Sequence, residues 1–95
     1  MSNERKIVFV GAEWCGYCKK AQPMFDDLAA EHGSLYKFLK VNVVEEPDYQ
    51  KNHNIVTGVN GFPTFVFMEN NIEIGREVGY MSKEDFTAKI AKHFK

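Results

Sequence analysis

A mixed α/β fold, with a four-stranded sheet flanked by helices, is the architecture this chain predicts. Two observations carry it. The continuous apolar run Ile7-Val8-Phe9-Val10 is followed by a helix-periodic segment and then by a second strand-like run, which makes a βαβ unit. Further along, two runs rich in β-formers flank Glu69-Asn70-Asn71, which makes a hairpin. With 95 residues, 1–95 is expected to be a single domain with a real but modest core.

Each element has its own local reason. Residues 7–10 are apolar without alternation, as in a strand covered on both faces (β1). Over 15–32 (α1), Ala21, Met24, Phe25, Leu28 and Ala29 recur at helical spacing and form one apolar stripe. Pro23 inside it removes a backbone donor and predicts a kink, and Gly33 is a natural stop. Residues 36–44 read as a second strand (β2), parallel to the first through a right-handed crossover. A short helix is expected over 47–54 (α2), and a third strand over 64–68 (β3). Asn70 and Asn71 tolerate the positive φ of a tight turn into a fourth strand over 72–78 (β4). Ser82-Lys83-Glu84-Asp85 resembles a capping box and opens a last helix (α3) with Phe86, Ile90 and Phe94 on one face.

Composition narrows the function. Apolar residues make up 44% and aromatics 14%, as in a globular domain and not a disordered chain. Twelve basic against 13 acidic residues leave a net charge of −1, which argues against nucleic acid or an anionic membrane as main partner. The apolar runs are too short to span a bilayer. Residues 1–6 are polar and show no secretory leader, so a cytoplasmic location is expected.

The two cysteines, Cys15 and Cys18, form one local CxxC in Trp14-Cys15-Gly16-Tyr17-Cys18. Two residues one helical turn apart lie close enough to form a disulfide. Cys15 falls at a helix start, where unpaired N–H groups and the helix dipole favour an anion, here the thiolate that is the nucleophile of disulfide exchange. Cys18, a turn inside, is expected to be more buried and less acidic, and suited to resolve a mixed disulfide formed by Cys15. Gly16 gives a tight turn and leaves the front sulfur open. The pair could also be half of a zinc site, but zinc takes four ligands and His32, His53 and His93 are scattered, so no metal is expected. A structural disulfide across three residues would remove little chain entropy. Gly61-Phe62-Pro63-Thr64 ahead of the third strand reads either as a plain strand boundary or as a cis-proline bend.

Together, Ala12-Glu13-Trp14-Cys15-Gly16-Tyr17-Cys18-Lys19, Pro23, Lys40-Val41-Asn42, Gly61-Phe62-Pro63-Thr64 and Val78-Gly79 resemble the thioredoxin family over residues 6–95. The resemblance implies a thioredoxin fold with sheet order β2-β1-β3-β4, lacking the family's usual N-terminal strand and helix. It implies that Pro63 is cis and lies beside the sulfurs. Trp14, Phe62 and Gly79 would form a shallow apolar rim around Cys15, and the Phe62 main chain would pair with substrate by strand addition. The implied activity is reduction of protein disulfides by a monomer with no bound cofactor. Its reducing equivalents would come through the Cys15–Cys18 couple from a thioredoxin-reductase-like donor or from glutathione.

Two departures stand out. The family has a buried carboxylate six positions before the first cysteine, and this chain has Phe9 there. Cys18 is therefore expected to be less assisted, with Lys40 reduced to a strand-end surface residue and the exposed Glu13 no substitute. Tyr17 before the second cysteine resembles glutaredoxins instead. Those bind glutathione through a Gly-Gly-Asp type turn and a Thr-Val-Pro, whereas this chain has Val78-Gly79-Tyr80-Met81-Ser82 and Gly61-Phe62-Pro63. A glutathione-dependent oxidoreductase and a non-catalytic binding subunit are the alternatives.

Overall fold

The computed structural model describes residues 4–94. Residues 1–3 and 95, on which part of the leader and domain expectations rest, lie outside the described residues. The elements run β1 (Arg5–Gly11), α1 (Gly16–His32), β2 (Lys37–Asn42), α2 (Tyr49–Asn52), β3 (Thr64–Glu69), β4 (Ile72–Val78) and α3 (Lys83–His93). The sheet order is β2-β1-β3-β4, as the resemblance implies. β1 lies parallel to β2, with Phe9 opposite Lys40, and antiparallel to β3, with Phe9 also opposite Phe65. β3 and β4 pair antiparallel with a register irregularity at Phe67 and Met68.

The central strands β1 and β3 are buried on both faces, which is why their sequences do not alternate. One face, holding Ile7, Phe9, Phe65 and Phe67, packs under α1 and α3. The other, holding Val8, Val10, Val66 and Met68, packs under Ile55, Tyr49 and Val59. The predicted stripe of α1 is buried at Ala21, Met24, Phe25 and Leu28, and Cys18 extends it one turn toward the N-terminus. Phe25 is the hub of that layer: its ring lies 5.2 Å from Phe9, 5.3 Å from Phe38 and 6.0 Å from Phe65. Phe86 of α3 meets Phe65 edge-on at 4.6 Å.

Several boundaries differ from expectation for local reasons. The helix α1 runs as one 17-residue element through Pro23. It ends at Gly33 in the ordinary right-handed conformation (φ −62°), with the His32 carbonyl accepting the Leu35 and Tyr36 amides, so a left-handed glycine cap is not what stops it. β2 stops at Asn42 because the Asn42 side chain accepts the Val44 amide at 2.9 Å and turns the chain. α2 is only four residues long, since Asp48 makes no capping bond and Asn54 takes a positive φ of 59°. Asn70 and Asn71 do take positive φ in the hairpin, at 54° and 66°. The Ser82 hydroxyl accepts the Asp85 amide at 3.1 Å and caps α3.

At the far end of the sheet, α3 is pinned to β4. The His93 ring stacks on Phe67 at 4.4 Å, with Nε2 2.8 Å from Glu77 Oε2. Lys89 and Lys92 stand 3.6 and 3.8 Å from the same carboxylate. Burial opposes ionisation of Glu77, but the His93 hydrogen bond and the two lysine charges outweigh it and hold its pKa below the ordinary carboxylate value.

Two expectations follow. Phe25→Ala should lower the unfolding free energy by about 3–5 kcal/mol in urea titrations, the usual cost of deleting a buried ring, and a loss under about 1 kcal/mol would mean Phe25 is not the hub of its layer. Because the Glu77 pKa is lowered on folding, its stabilisation is present above the ordinary carboxylate pKa and is lost as pH falls through the lowered value. The melting temperature of Glu77→Gln should therefore fall less steeply than that of the parent protein across that acid range.

Candidate active site

The site forms where the C-terminal end of β1 turns into α1. The Cys15 amide donates to the Ala12 carbonyl at 3.1 Å, closing the turn that ends the strand. Cys15 is then the N-cap of α1, with extended backbone (φ −87°, ψ 110°), and its sulfur accepts the Cys18 amide at 3.1 Å. The sulfur thus takes the place that a serine or aspartate oxygen fills in an ordinary helix cap. The two cysteines are reduced and stand one helical turn apart.

Their burial differs from expectation. Cys15 is 7% and Cys18 6% exposed, so the front cysteine is no more open than the rear one. Burial pushes the Cys18 thiol up to about 11, with a further push from its hydrogen bond to Cys15 and only partial relief from the Ala12 main chain. Cys18 crowds Gly11 of the strand: a β-carbon there would lie 2.9 Å from Cys18 Sγ and 3.1 Å from the Phe9 ring. At Gly16 an added β-carbon would meet nothing within 4 Å, so crowding does not explain that glycine.

Around the cysteines lies an apolar surface. Trp14 is 70% and Tyr17 65% exposed. The Trp14 ring packs edge-on against Phe62 at 5.4 Å. The Phe62–Pro63 peptide bond is cis, and Pro63 is fully buried. The Gly79 amide donates to the Pro63 carbonyl at 2.7 Å from a residue with φ of 102°, a conformation that favours glycine. The structure therefore links Trp14, the chain neighbour of Cys15, to Phe62, joins Pro63 to Gly79, and leaves Gly16 and Tyr17 exposed at the start of α1.

Other contributors were not visible in the sequence. Arg76 donates to both Glu73 oxygens at 2.7 and 2.9 Å and to the Thr57 and Gly58 carbonyls at 3.1 and 3.2 Å, which ties the segment leading to Phe62 onto β4. The Lys20 ammonium sits 4.9 Å from the centre of the Tyr80 ring and links α1 to the turn after Gly79. Lys40 is exposed and pairs with Asp26 of α1 at 2.8 Å. His32, His53 and His93 lie apart, and among the described residues no group of three or more His, Cys, Asp or Glu is placed to hold a metal ion. No helix among them is long and apolar enough to cross a membrane.

Behind Cys18, on the side of β1 and β2, lies a cavity of about 510 Å³. Phe9, Gly11 and Cys18 line its inner wall, and Gln22, Lys40 and Glu45 its outer part. If burial governs Cys18 as described, its Cβ resonance in the reduced protein should titrate near 11 by NMR, and a midpoint at or below the ordinary thiol value of 9.0 would contradict that account.

Comparison with known proteins agrees with this geometry. The thioredoxin family model matches residues 1–92. Thioredoxin H4 of Arabidopsis thaliana is 38% identical over 92 residues, covering 97% of this chain and 73% of the plant protein. The thioredoxin of Mycoplasma genitalium is 40% identical over 77 residues, covering 81% of this chain and 71% of the relative. A crystal structure of the thioredoxin of Malassezia sympodialis superposes with a TM-score of 0.79 at 28% identity, covering 97% of this chain and 76% of that one. The family model spans nearly the whole chain and named thioredoxins match it at 38 and 40% identity, so the chain belongs to the thioredoxin family of thiol–disulfide oxidoreductases.

Proposed function

We propose that this protein reduces disulfides in other proteins through a dithiol cycle between Cys15 and Cys18. The observation that carries the reading is the Cys15 sulfur seated as the N-cap of α1, 3.1 Å from the Cys18 amide, inside a rim of exposed aromatic side chains. A thiolate at that cap is stabilised by the amide it already accepts and by the helix dipole. It attacks one sulfur of the substrate disulfide, forming a Cys15–substrate bond and releasing the other substrate sulfur as thiolate. Cys18, having lost its proton, attacks Cys15 Sγ. The mixed disulfide breaks, the second substrate sulfur leaves as thiolate, and Cys15–Cys18 is left oxidised. Two electrons have passed to the substrate, and an external donor of the thioredoxin-reductase kind returns them.

Trp14 and Phe62 flank the approach to the sulfurs, and Pro63 and Gly79 fix the backbone beside them. An extended substrate segment pairs with the Phe62 main chain. The reaction needs no bound cofactor. The low net charge suits recognition by a small apolar patch in place of long-range steering. A monomer acting in the cytoplasm accords with this reading. Neither glutathione-binding element of a glutaredoxin is present in the Gly61-Phe62-Pro63 and Val78-Gly79-Tyr80 segments.

Insulin reduction with dithiothreitol, followed by turbidity, tests the reading. Cys15→Ser should fall to the rate of dithiothreitol alone. Cys18→Ser should lose turnover and accumulate covalent mixed disulfides visible by mass spectrometry. Parent-like insulin reduction by Cys15→Ser would overturn the assignment. Turnover supported by glutathione but not by a thioredoxin reductase would favour the glutathione-dependent alternative.

A further inference from the structure

The resolving step requires that Cys18 lose a proton, and the position facing it from β1 is held by Phe9. That ring is buried among Phe25 and Phe65 at 5.2 and 5.0 Å and has no basic atom. The hydrogen bonds of Cys18 engage the Cys15 sulfur and the Ala12 main chain. What does reach Cys18 is the cavity of about 510 Å³, large enough for a small organic molecule, whose outer part is formed by exposed residues. The charged groups facing it are Glu13 and Lys19 from the active-site turn and α1, Lys40 from β2, and Glu45 beyond it. All four are exposed, and Lys40 is held by Asp26.

We infer that Cys18 delivers its proton through this cavity to a small base dissolved in the solvent, and that the cavity is an entry site for small neutral bases such as imidazole. The inference rests on the dithiol cycle proposed above. In that step the Cys18 S–H bond breaks and the proton passes to the base nitrogen. The sulfur electron pair forms the Cys18–Cys15 bond as the Cys15–substrate bond breaks. The departing substrate thiolate is then free to take back a proton from the solvent. Attack across one helical turn is fast once the thiolate exists, because the two sulfurs are already held together. Burial, the largest cause of the raised Cys18 pKa, does not depend on a free Cys15 thiol, so transfer to water is slow and proton loss limits the step.

The test is rapid mixing of the reduced protein with a substoichiometric chromogenic aromatic disulfide. One thiol is released when Cys15 attacks and a second when Cys18 resolves. At fixed pH and ionic strength, the second release should accelerate linearly with imidazole, by several-fold overall. With imidazole absent it should rise about tenfold per pH unit without levelling off in the neutral range. Gln22→Trp, an exposed helix position at the cavity mouth, should reduce the imidazole slope several-fold. Phe9→Asp, where it folds, should make the second release insensitive to imidazole by supplying a carboxylate. A second release independent of imidazole, an unaltered slope in Gln22→Trp, or a comparable slowing by the double variant Glu13→Gln with Glu45→Gln would each overturn the inference. Absence of the first release would instead refute the dithiol cycle itself, so the two failures are distinguishable.

Discussion

The contact on which the site depends is the hydrogen bond from the Cys18 amide to the Cys15 sulfur. It starts α1, and it places the first sulfur at the positive end of a 17-residue helix. Everything else in the active centre is arranged around that cap. The Ala12 carbonyl closes the turn before it, and Gly11 leaves space for the second sulfur between strand and helix. Structural and chemical duties therefore fall on one atom. A serine in place of Cys15 would keep the cap and lose the chemistry, which makes it a cleaner probe than alanine.

Phe9 shows how a small core is kept dry at some chemical cost. Its ring meets Phe25 and Phe65, and through them the aromatic layer reaches Phe86 and Phe38. A carboxylate there would have to be buried among rings, at a penalty of several kcal/mol if left unpaired. In a chain of 95 residues that is a large share of the total stability. Apolar packing holds the sheet and helix together, and the Cys18 thiol sits in the same cluster with a raised pKa.

Much of this is legible in the amino-acid sequence. The unalternating run at Ile7-Val8-Phe9-Val10 and the stripe on α1 each correspond to burial in the structure, and Asn70 and Asn71 take the positive φ their side chains tolerate. The apolar stripe that begins just after the CxxC puts the pair at a helix start, where the structure has it. What escaped were features set by tertiary contact. Equal burial of the two cysteines depends on how the active-site turn packs on the core, which spacing does not encode. The early ends of β2 and α2 depend on one asparagine bond and one missing cap. The Arg76 clamp joins residues 18 and 19 positions apart, beyond the reach of any local pattern.

Phe62 packs against both hydrophobic clusters, one on each face of the sheet. It is the ring that meets Trp14 and directly precedes the buried Pro63. A segment anchored in two cores at once has little freedom left to lose when another chain is laid along it. If a substrate segment pairs there as proposed, the ordering entropy of that surface is settled during folding and not at each encounter. Under that proposal, partners of unrelated sequence would share one stiff template, and discrimination among them would pass to the shape and flexibility of the visitor.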